Sequence, residues 1–119
     1  MDYSKKYVSV KKDREFRYLF KKGACIVNSG FVCYFKPTKR RVNRLGIVTS
    51  KKIGCAVKRS RARRVIREAF RRIEPELRQK TDKRYDFIIV ARAKTAFMKS
   101  DRLYSAMKRL IAEKLDIKQ

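Results

Sequence analysis

The chain has 119 residues, of which 35 are Lys or Arg and 11 are Asp or Glu, and its formal net charge is +24. This length predicts a single domain spanning residues 1–119, and a hydrophobic content of 44% excludes a disordered basic tail. Because so much positive charge opposes compaction unless a polyanion relieves it, nucleic acid is the expected partner and an anionic membrane surface is the alternative.

The residue types that are missing exclude several kinds of site. The chain has no His, which removes Ser–His and Cys–His catalysis. It contains no phosphate-binding glycine motif, so no organic cofactor is expected. Cys25, Cys33 and Cys55 are odd in number and form no C-x-x-C pair. This favours Cys25 and Cys33 as small apolar residues of strands, in a reducing cytoplasm, over a zinc site or a disulfide framework. No apolar run has the length of a secretory signal core or a transmembrane helix.

The first predicted element is a short helix that follows a polar N-terminus. Residues 1–9 are expected to be flexible. The helix is predicted from Asp13 to Lys21, with Asp13 as its cap and Gly23 at its end. Its apolar face follows helical spacing and consists of Phe16, Leu19 and Phe20.

Three strands are predicted next, over residues 24–27, 31–37 and 45–50. In the second strand, side chains 31, 33 and 35 point to one side and side chains 32, 34 and 36 to the other. Both sides of this strand carry apolar or aromatic residues. Either all of them pack into a core, or one aromatic face stays open and stacks unpaired bases, and the pattern leaves both readings open.

The segment from Lys58 to Arg72, KRSRARRVIREAFRR, is the most basic part of the chain and holds one acid, Glu68. Its apolar residues recur at helical spacing together with the following Ile73, and they are Ala62, Val65, Ile66, Ala69 and Phe70. Arg64, Arg67 and Arg71 gather on the opposite side, flanked by Arg61 and Arg72. Arg binds phosphate through paired N–H donors, so this face indicates recognition of a folded nucleic acid.

The remaining chain completes a small α/β sandwich of the α+β class. Pro75 is expected to bend or interrupt the arginine helix, and residues 78–84 to connect it to a strand over 85–93. A last helix is predicted from Ser100, its cap, to Leu115. The predicted order is α-β-β-β-α-β-α, with helices packed on one sheet.

A metal-dependent nuclease is a further hypothesis, because Asp86 opens a strand that Lys94 follows. Such a site needs at least two carboxylates around a divalent ion, and no second acid is obviously placed beside Asp86. The alternative interpretation of Asp86 is a turn or strand-edge residue.

The stretch SKKIGCAVKRSRARRVIREAF, residues 50–70, resembles the hallmark of the bacterial ribonuclease P protein subunit, roughly K-x-G-x-A-V-x-R-N-[RK]-x-[KR]-R-x-x-R-E. The matching residues are Lys52, Gly54, Ala56, Val57, Arg59, Arg61, Arg63, Arg64, Arg67 and Glu68. The segments KKDREFRYLFKKG, FVCYF, RLGIVTSKK and DFIIVARAK are similar to the family's first helix and strands. The family motif usually has Asn where this chain has Ser60, which keeps a small hydrogen-bonding side chain but loses the amide.

The resemblance implies a protein subunit that assists an RNA catalyst in removing the 5′ leader from precursor tRNA. It implies no catalytic residue in the protein, Mg²⁺ held mainly by RNA, and a left-handed β-α-β crossover around the arginine motif. The residues implied to bind the RNA subunit are Arg59, Ser60, Arg61, Arg63, Arg64, Arg67 and Arg71. The residues implied to bind the leader are Phe16, Phe20, Tyr34, Lys51, Lys52 and Arg92. Sulfate or phosphate is expected to bind when RNA is absent, and the alternative function is a structural RNA-binding protein such as a ribosomal protein.

Overall fold

The computed structural model describes residues 7–115 and arranges them around a single five-stranded sheet. The strands are β1 Val8–Ser9, β2 Ala24–Asn28, β3 Phe31–Thr38, β4 Arg44–Val48 and β5 Arg84–Ala91. The helices are α1 Asp13–Lys22, α2 Ala56–Lys80 and α3 Ser100–Lys114, and two 3₁₀ turns lie at Lys51–Ile53 and Ala93–Phe97. This α+β fold confirms the predicted element order and adds one short strand before it.

The sheet order is β1-β4-β5-β3-β2. Strands β2, β3 and β5 pair antiparallel, whereas β4 runs parallel to both β5 and β1. Helix α2 therefore connects two adjacent parallel strands, as in the β-α-β crossover that the resemblance implies. The left hand of this crossover stays a prediction.

The two faces of the sheet are covered unequally. Tyr34, Ile88 and Gly46 lie in one cross-strand row, and α1 packs over this row. The opposite face holds the main core beneath α2 and α3. That core joins sheet residues to the predicted apolar face of α2, and its larger members are Phe31, Phe35, Phe87, Ile89, Ile66, Phe70, Leu103 and Met107. The core thus lies between the sheet and the arginine helix, and α1 packs alone on the other side.

The chain joins the sheet at residues 8–10, part of which belongs to the segment 1–9 that was expected to be flexible. The Val8 amide donates to the Asn43 carbonyl at 3.1 Å, and the Val10 amide donates to the Leu45 carbonyl at 3.0 Å. The Tyr7 ring packs edge-on against Phe70, with ring centroids 5.0 Å apart. Strand β1 forms because these contacts cover the free edge of β4, a tertiary effect that a two-residue strand cannot signal. Residues 1–6, which the same expectation covered, lie outside the described residues.

Helix α2 continues through Pro75 to Lys80, so the expected interruption and the loop over residues 78–80 are wrong. A proline inside a helix costs about 3 kcal/mol because it removes one backbone hydrogen bond. Here the contacts of the residues on either side of Pro75 offset that cost. Leu77 is buried, and the buried carboxylate of Glu74 accepts hydrogen bonds from Asn43 Nδ2 and Arg78 Nε, each at 2.8 Å.

Several element ends differ from the prediction by a few residues. Lys12 and Lys99, rather than Asp13 and Ser100, are the N-caps of α1 and α3. Strand β5 ends at Ala91, because the chain turns there into the second 3₁₀ turn. The three cysteines are free; Cys25 and Cys33 lie in strands as predicted, but only Cys33 is buried, and Cys25 and Cys55 are exposed. Burial raises the pKa of the Cys33 thiol to about 12.

Candidate RNA-binding surfaces

The outer side of α2 presents the arginines, and we call this surface the arginine face. Burial of the opposite apolar side fixes its orientation, since Ala62, Ile66 and Phe70 have no exposed surface. Arg59 and Arg63 are half-buried, and the exposed members are Ser60, Arg61, Arg64, Arg67 and Arg71. Within residues 7–115, one ion pair involves this face, from Arg64 Nε to Glu68 Oε1 at 4.0 Å. An exposed pair at that distance contributes little, so the face keeps its positive charge.

A glycine fixes the point at which α2 begins. Ile53 is buried and anchors the first 3₁₀ turn, and Gly54 follows it with φ of 131°. This backbone conformation is one that residues with a Cβ rarely adopt. Cys55 is the N-cap that follows, and the nearby backbone amides of Lys58 and Val57 help to lower the pKa of its thiol. The glycine of the motif therefore sets the direction in which the arginine face projects.

Arg72, predicted to flank the arginine face, has a different role. Its guanidinium lies 3.9 Å from the centroid of the Tyr104 ring, and its Nη1 donates to Asp101 Oδ1 at 2.6 Å. The Tyr104 hydroxyl in turn donates to Glu76. Arg72 therefore joins α2 to α3, and its charge is already paired. Helical spacing alone could not separate it from Arg71, because the partners belong to α3.

Three aromatic side chains lie together between α1 and the sheet, and we call this site the aromatic cleft. The rings of Phe20 and Tyr34 meet edge to face at 4.8 Å between centroids, and those of Phe16 and Phe20 are 6.5 Å apart. Phe16 lies directly over Gly46, where an added Cβ would be 2.7 Å from a ring carbon. Phe20 remains 40% exposed. The sheet face on which α1 packs is thus only partly covered.

The open part of that sheet face is a row of four valines, which sequence reasoning missed. The strand register places Val27 beside Val32, Val32 beside Val90, and Val90 beside Val48. Val27 is exposed and the other three are half-buried. This row continues the floor of the aromatic cleft across four strands. Only the register could reveal it, because the four residues come from four separate segments.

The predicted leader-binding cations lie at one end of the cleft. Lys51 and Lys52 follow β4, and Arg92 follows β5. Since β4 and β5 are parallel, their carboxyl ends meet at the same edge of the sheet. All three side chains are exposed, and Arg92 Nη1 donates to the Asn28 carbonyl at 3.2 Å. The structure therefore brings these cations together beside Val48 and Val90.

The other end of the cleft is closed by an ion cluster that the sequence did not reveal. Arg44 donates from Nε and Nη2 to the two carboxylate oxygens of Asp86, each at 2.8 Å, and from Nη1 to Glu15 Oε2 at 2.6 Å. These hydrogen bonds raise the pKa of Arg44, and the bond from Arg44 holds the pKa of Glu15 below its ordinary value. The cluster ties α1 to the sheet. The sequence could have indicated this cluster only through the opposite charges of Arg44 and Asp86. Pairing those charges requires the register of the parallel strands β4 and β5.

The same contacts argue against Asp86 as a metal ligand. Both of its oxygens accept from Arg44, and the second acid nearby, Glu15, faces the same guanidinium. In the part of the chain that the structure describes, no three His, Cys, Asp or Glu side chains are grouped to hold a metal ion.

The arginine face and the aromatic cleft adjoin at the β1–β4 edge of the sheet. A pocket there is lined by Phe16 from the cleft and by Arg63 and Arg67 from α2. The arginine face and the aromatic cleft are therefore continuous around this edge of the sheet. Among the described helices, none is long and apolar enough to cross a membrane.

Comparison with known proteins gives consistent similarities over most of the chain. The sequence model of the family described as Ribonuclease P matches residues 4–115. The ribonuclease P protein component of Oceanobacillus iheyensis is 33% identical over 108 residues, covering 90% of this chain and 86% of that protein. That of Caldanaerobacter subterraneus is 40% identical over 91 residues, covering 76% and 75%.

Solved structures show the same likeness in three dimensions. The RNase P protein of Staphylococcus aureus matches with a TM-score of 0.70 and 31% identity, covering 87% of this chain and 91% of that one. The RNase P protein of Thermotoga maritima matches with a TM-score of 0.67 and 28% identity, covering 85% and 96%.

Proposed function

The chain belongs to the ribonuclease P protein family, and on that premise we propose that it is the protein subunit of a ribonucleoprotein that removes the 5′ leader from precursor tRNA. The observation that carries this proposal is the pairing of two surfaces. An arginine face with almost no acids adjoins a partly open aromatic cleft on the other side of one sheet. A folded RNA suits the first surface, and an unpaired strand suits the second.

The arginine face binds the RNA subunit. Four of its guanidiniums, those of Arg61, Arg64, Arg67 and Arg71, are exposed, and within residues 7–115 they form no ion pair closer than 4.0 Å, so they can donate pairs of hydrogen bonds to phosphates. Ser60 lies beside Arg61 and Arg64 in a shallow pocket at the start of α2. Its hydroxyl can donate to a phosphate at the position where the family motif usually has Asn.

The aromatic cleft binds the single-stranded leader. Bases stack on Phe16, Phe20 and Tyr34, and stacking tolerates any sequence because every base has a π-face. The apolar valine row extends that platform, and Lys51, Lys52 and Arg92 pair with leader phosphates at its end. This arrangement suits an enzyme whose substrates carry different leaders.

The protein performs no chemistry, because it has no His and its cleft acids are paired with Arg44. The RNA subunit is the catalyst and holds the Mg²⁺ that the reaction needs. The protein screens phosphate repulsion, so the holoenzyme needs less Mg²⁺ than the RNA alone. Sulfate or phosphate occupies the arginine face when RNA is absent, and three free cysteines agree with a cytoplasmic location.

Cleavage of a precursor tRNA at low Mg²⁺ tests this proposal with three mixtures: a bacterial ribonuclease P RNA alone, the protein alone, and both together. We expect cleavage only when RNA and protein are combined. Cleavage by the protein alone would point to a protein nuclease. Binding to ribosomal RNA without any stimulation would point to a structural RNA-binding protein instead.

A further inference from the structure

An exposed aromatic side chain lies outside both surfaces described above. Phe97, the last residue of the second 3₁₀ turn, is 67% exposed, and Val57 on the first turn of α2 is 76% exposed. The ammonium of Lys58, also on α2, lies 5.4 Å from the centroid of the Phe97 ring. This is a large apolar group on the surface of a very polar chain, next to the start of the arginine face.

The position of Phe97 is fixed by the residues on either side of it. Thr95 is fully buried, accepts a hydrogen bond from the Arg92 amide at 2.9 Å, and donates to the Gly30 carbonyl. The following residue, Met98, donates its amide to the Thr95 carbonyl at 3.2 Å and packs its sulfur over Gly30. The ring is therefore exposed on an anchored turn, which reduces the entropy that a ligand must remove on binding.

The surroundings of the ring are basic. A shallow pocket beside it is lined by Lys94, Lys99 and Arg102 together with Met98. The nearest acid in sequence, Asp101, is paired with Arg72. An aromatic ring surrounded by cations matches the chemistry of an unpaired nucleotide, which offers a π-face for stacking and a phosphate for the cations.

We propose that Phe97 is a stacking platform for an unpaired base of the RNA subunit, outside the leader-binding cleft. This inference rests on the proposed function. The RNA subunit is the committed partner because the ring contacts Lys58, two residues before Ser60, and so extends the arginine face at its N-terminal end. Lys58 pairs with the neighbouring phosphate.

Affinity for a bacterial ribonuclease P RNA, measured without substrate at several salt concentrations, tests the proposal. Phe97→Ala should weaken binding by roughly 5- to 150-fold, the equivalent of one lost base stack. The slope of log affinity against log salt should not change, since no charge is lost. Tyr18→Ala is the matched control, because it removes another exposed aromatic, 54% exposed, from α1 on the other face of the sheet.

Fluorescence gives a second readout, because the chain contains no Trp. Phe97→Trp creates a single indole that RNA should quench on binding, whereas Phe20→Trp should respond only when leader-bearing substrate joins the holoenzyme. Quenching of Phe97→Trp by the RNA and of Phe20→Trp by leader-bearing substrate would support each of the two sites independently.

The outcomes separate this inference from the proposed function. If Arg64→Ala weakens RNA binding but Phe97→Ala does not and Phe97→Trp is unquenched, the platform is wrong and the function stands. If Phe97→Ala weakens only the binding of leader-bearing substrate, the assignment to the RNA subunit is wrong. The same holds if its only effect is to convert a dimer of this protein to a monomer. If the unmodified protein fails to bind the RNA, both are wrong.

Discussion

The ion cluster of Arg44, Glu15 and Asp86 should stabilise the fold far more than a surface pair of the same geometry. The N–O distance from Arg44 to Glu15 is 2.6 Å, identical to that from Arg72 to Asp101. The environments differ, since the side chains of Arg44 and Glu15 are 11% and 22% exposed, against 46% and 86% for Arg72 and Asp101. Water therefore screens the Arg72–Asp101 pair much more than the Arg44–Glu15 pair.

Replacing Arg44 with Met keeps an unbranched apolar stem but removes the guanidinium, which leaves two carboxylates without their shared partner. Removing one member of a fully buried pair costs about 3–5 kcal/mol, and the partial exposure of this cluster lowers the expected loss to roughly 2–3 kcal/mol. Asp101→Asn, the matched control, should cost roughly 1 kcal/mol or less. The loss of stability at acidic pH gives a second test of the cluster. Because the folded-state pKa of Glu15 is lowered, its contribution is present above the unfolded pKa and is lost as the pH falls through the folded value.

Urea unfolding measures the loss of stability in each variant and the pH dependence of that stability. The sulfate concentration is kept fixed, because anion binding to the folded protein would otherwise change the stability as well. We expect the unmodified protein to lose stability on acidification more steeply than Arg44→Met. Equal losses for Arg44→Met and Asp101→Asn at neutral pH would refute the reasoning that burial, rather than distance, sets the contribution of these pairs.

Three further predictions concern the proposed RNA surfaces. Arg64→Ala should reduce the slope of log affinity for the RNA subunit against log salt by about 0.7–0.9, because one phosphate contact is lost; an unchanged slope in a salt titration would remove Arg64 from the interface. Tyr34→Ala should weaken binding of leader-bearing precursor to the holoenzyme by about 1–3 kcal/mol, and an equal effect on mature tRNA would indicate a folding defect. Gly46→Ala should displace the Phe16 ring and destabilise the protein by roughly 1–3 kcal/mol in urea unfolding, because its Cβ would lie 2.7 Å from a ring carbon. Unchanged stability would show that the ring moves freely.

Periodic patterns predicted the fold well where one element carries its own signal. The apolar spacing of α2 identified residues that are buried, and the alternation in β3 identified its two faces. The pattern could not show that Pro75 lies inside the helix, because the stabilising contacts of Glu74 and Leu77 come from outside it. For the same reason β1 was missed, since its order depends on the edge of β4.

The candidate site was predictable only in part. Helical spacing groups Phe16 with Phe20, but Tyr34 joins them through a contact between helix and sheet that spacing cannot give. The resemblance to a family supplied that third residue. Arg44 and the valine row depend on strand register, and Phe97 matches no motif, so these features required coordinates.

The short connection between β4 and α2 has a consequence for where cleavage falls. Residues 49–55 are all that separate the last valine of the cleft floor from the first turn of the arginine helix. A buried Ile53 and the constrained backbone at Gly54 keep that connection stiff. Under the proposed function, an RNA docked on α2 therefore finds the leader held at a constant offset. The protein would then help to select the phosphodiester bond that enters the catalytic centre, in addition to raising the affinity for the precursor.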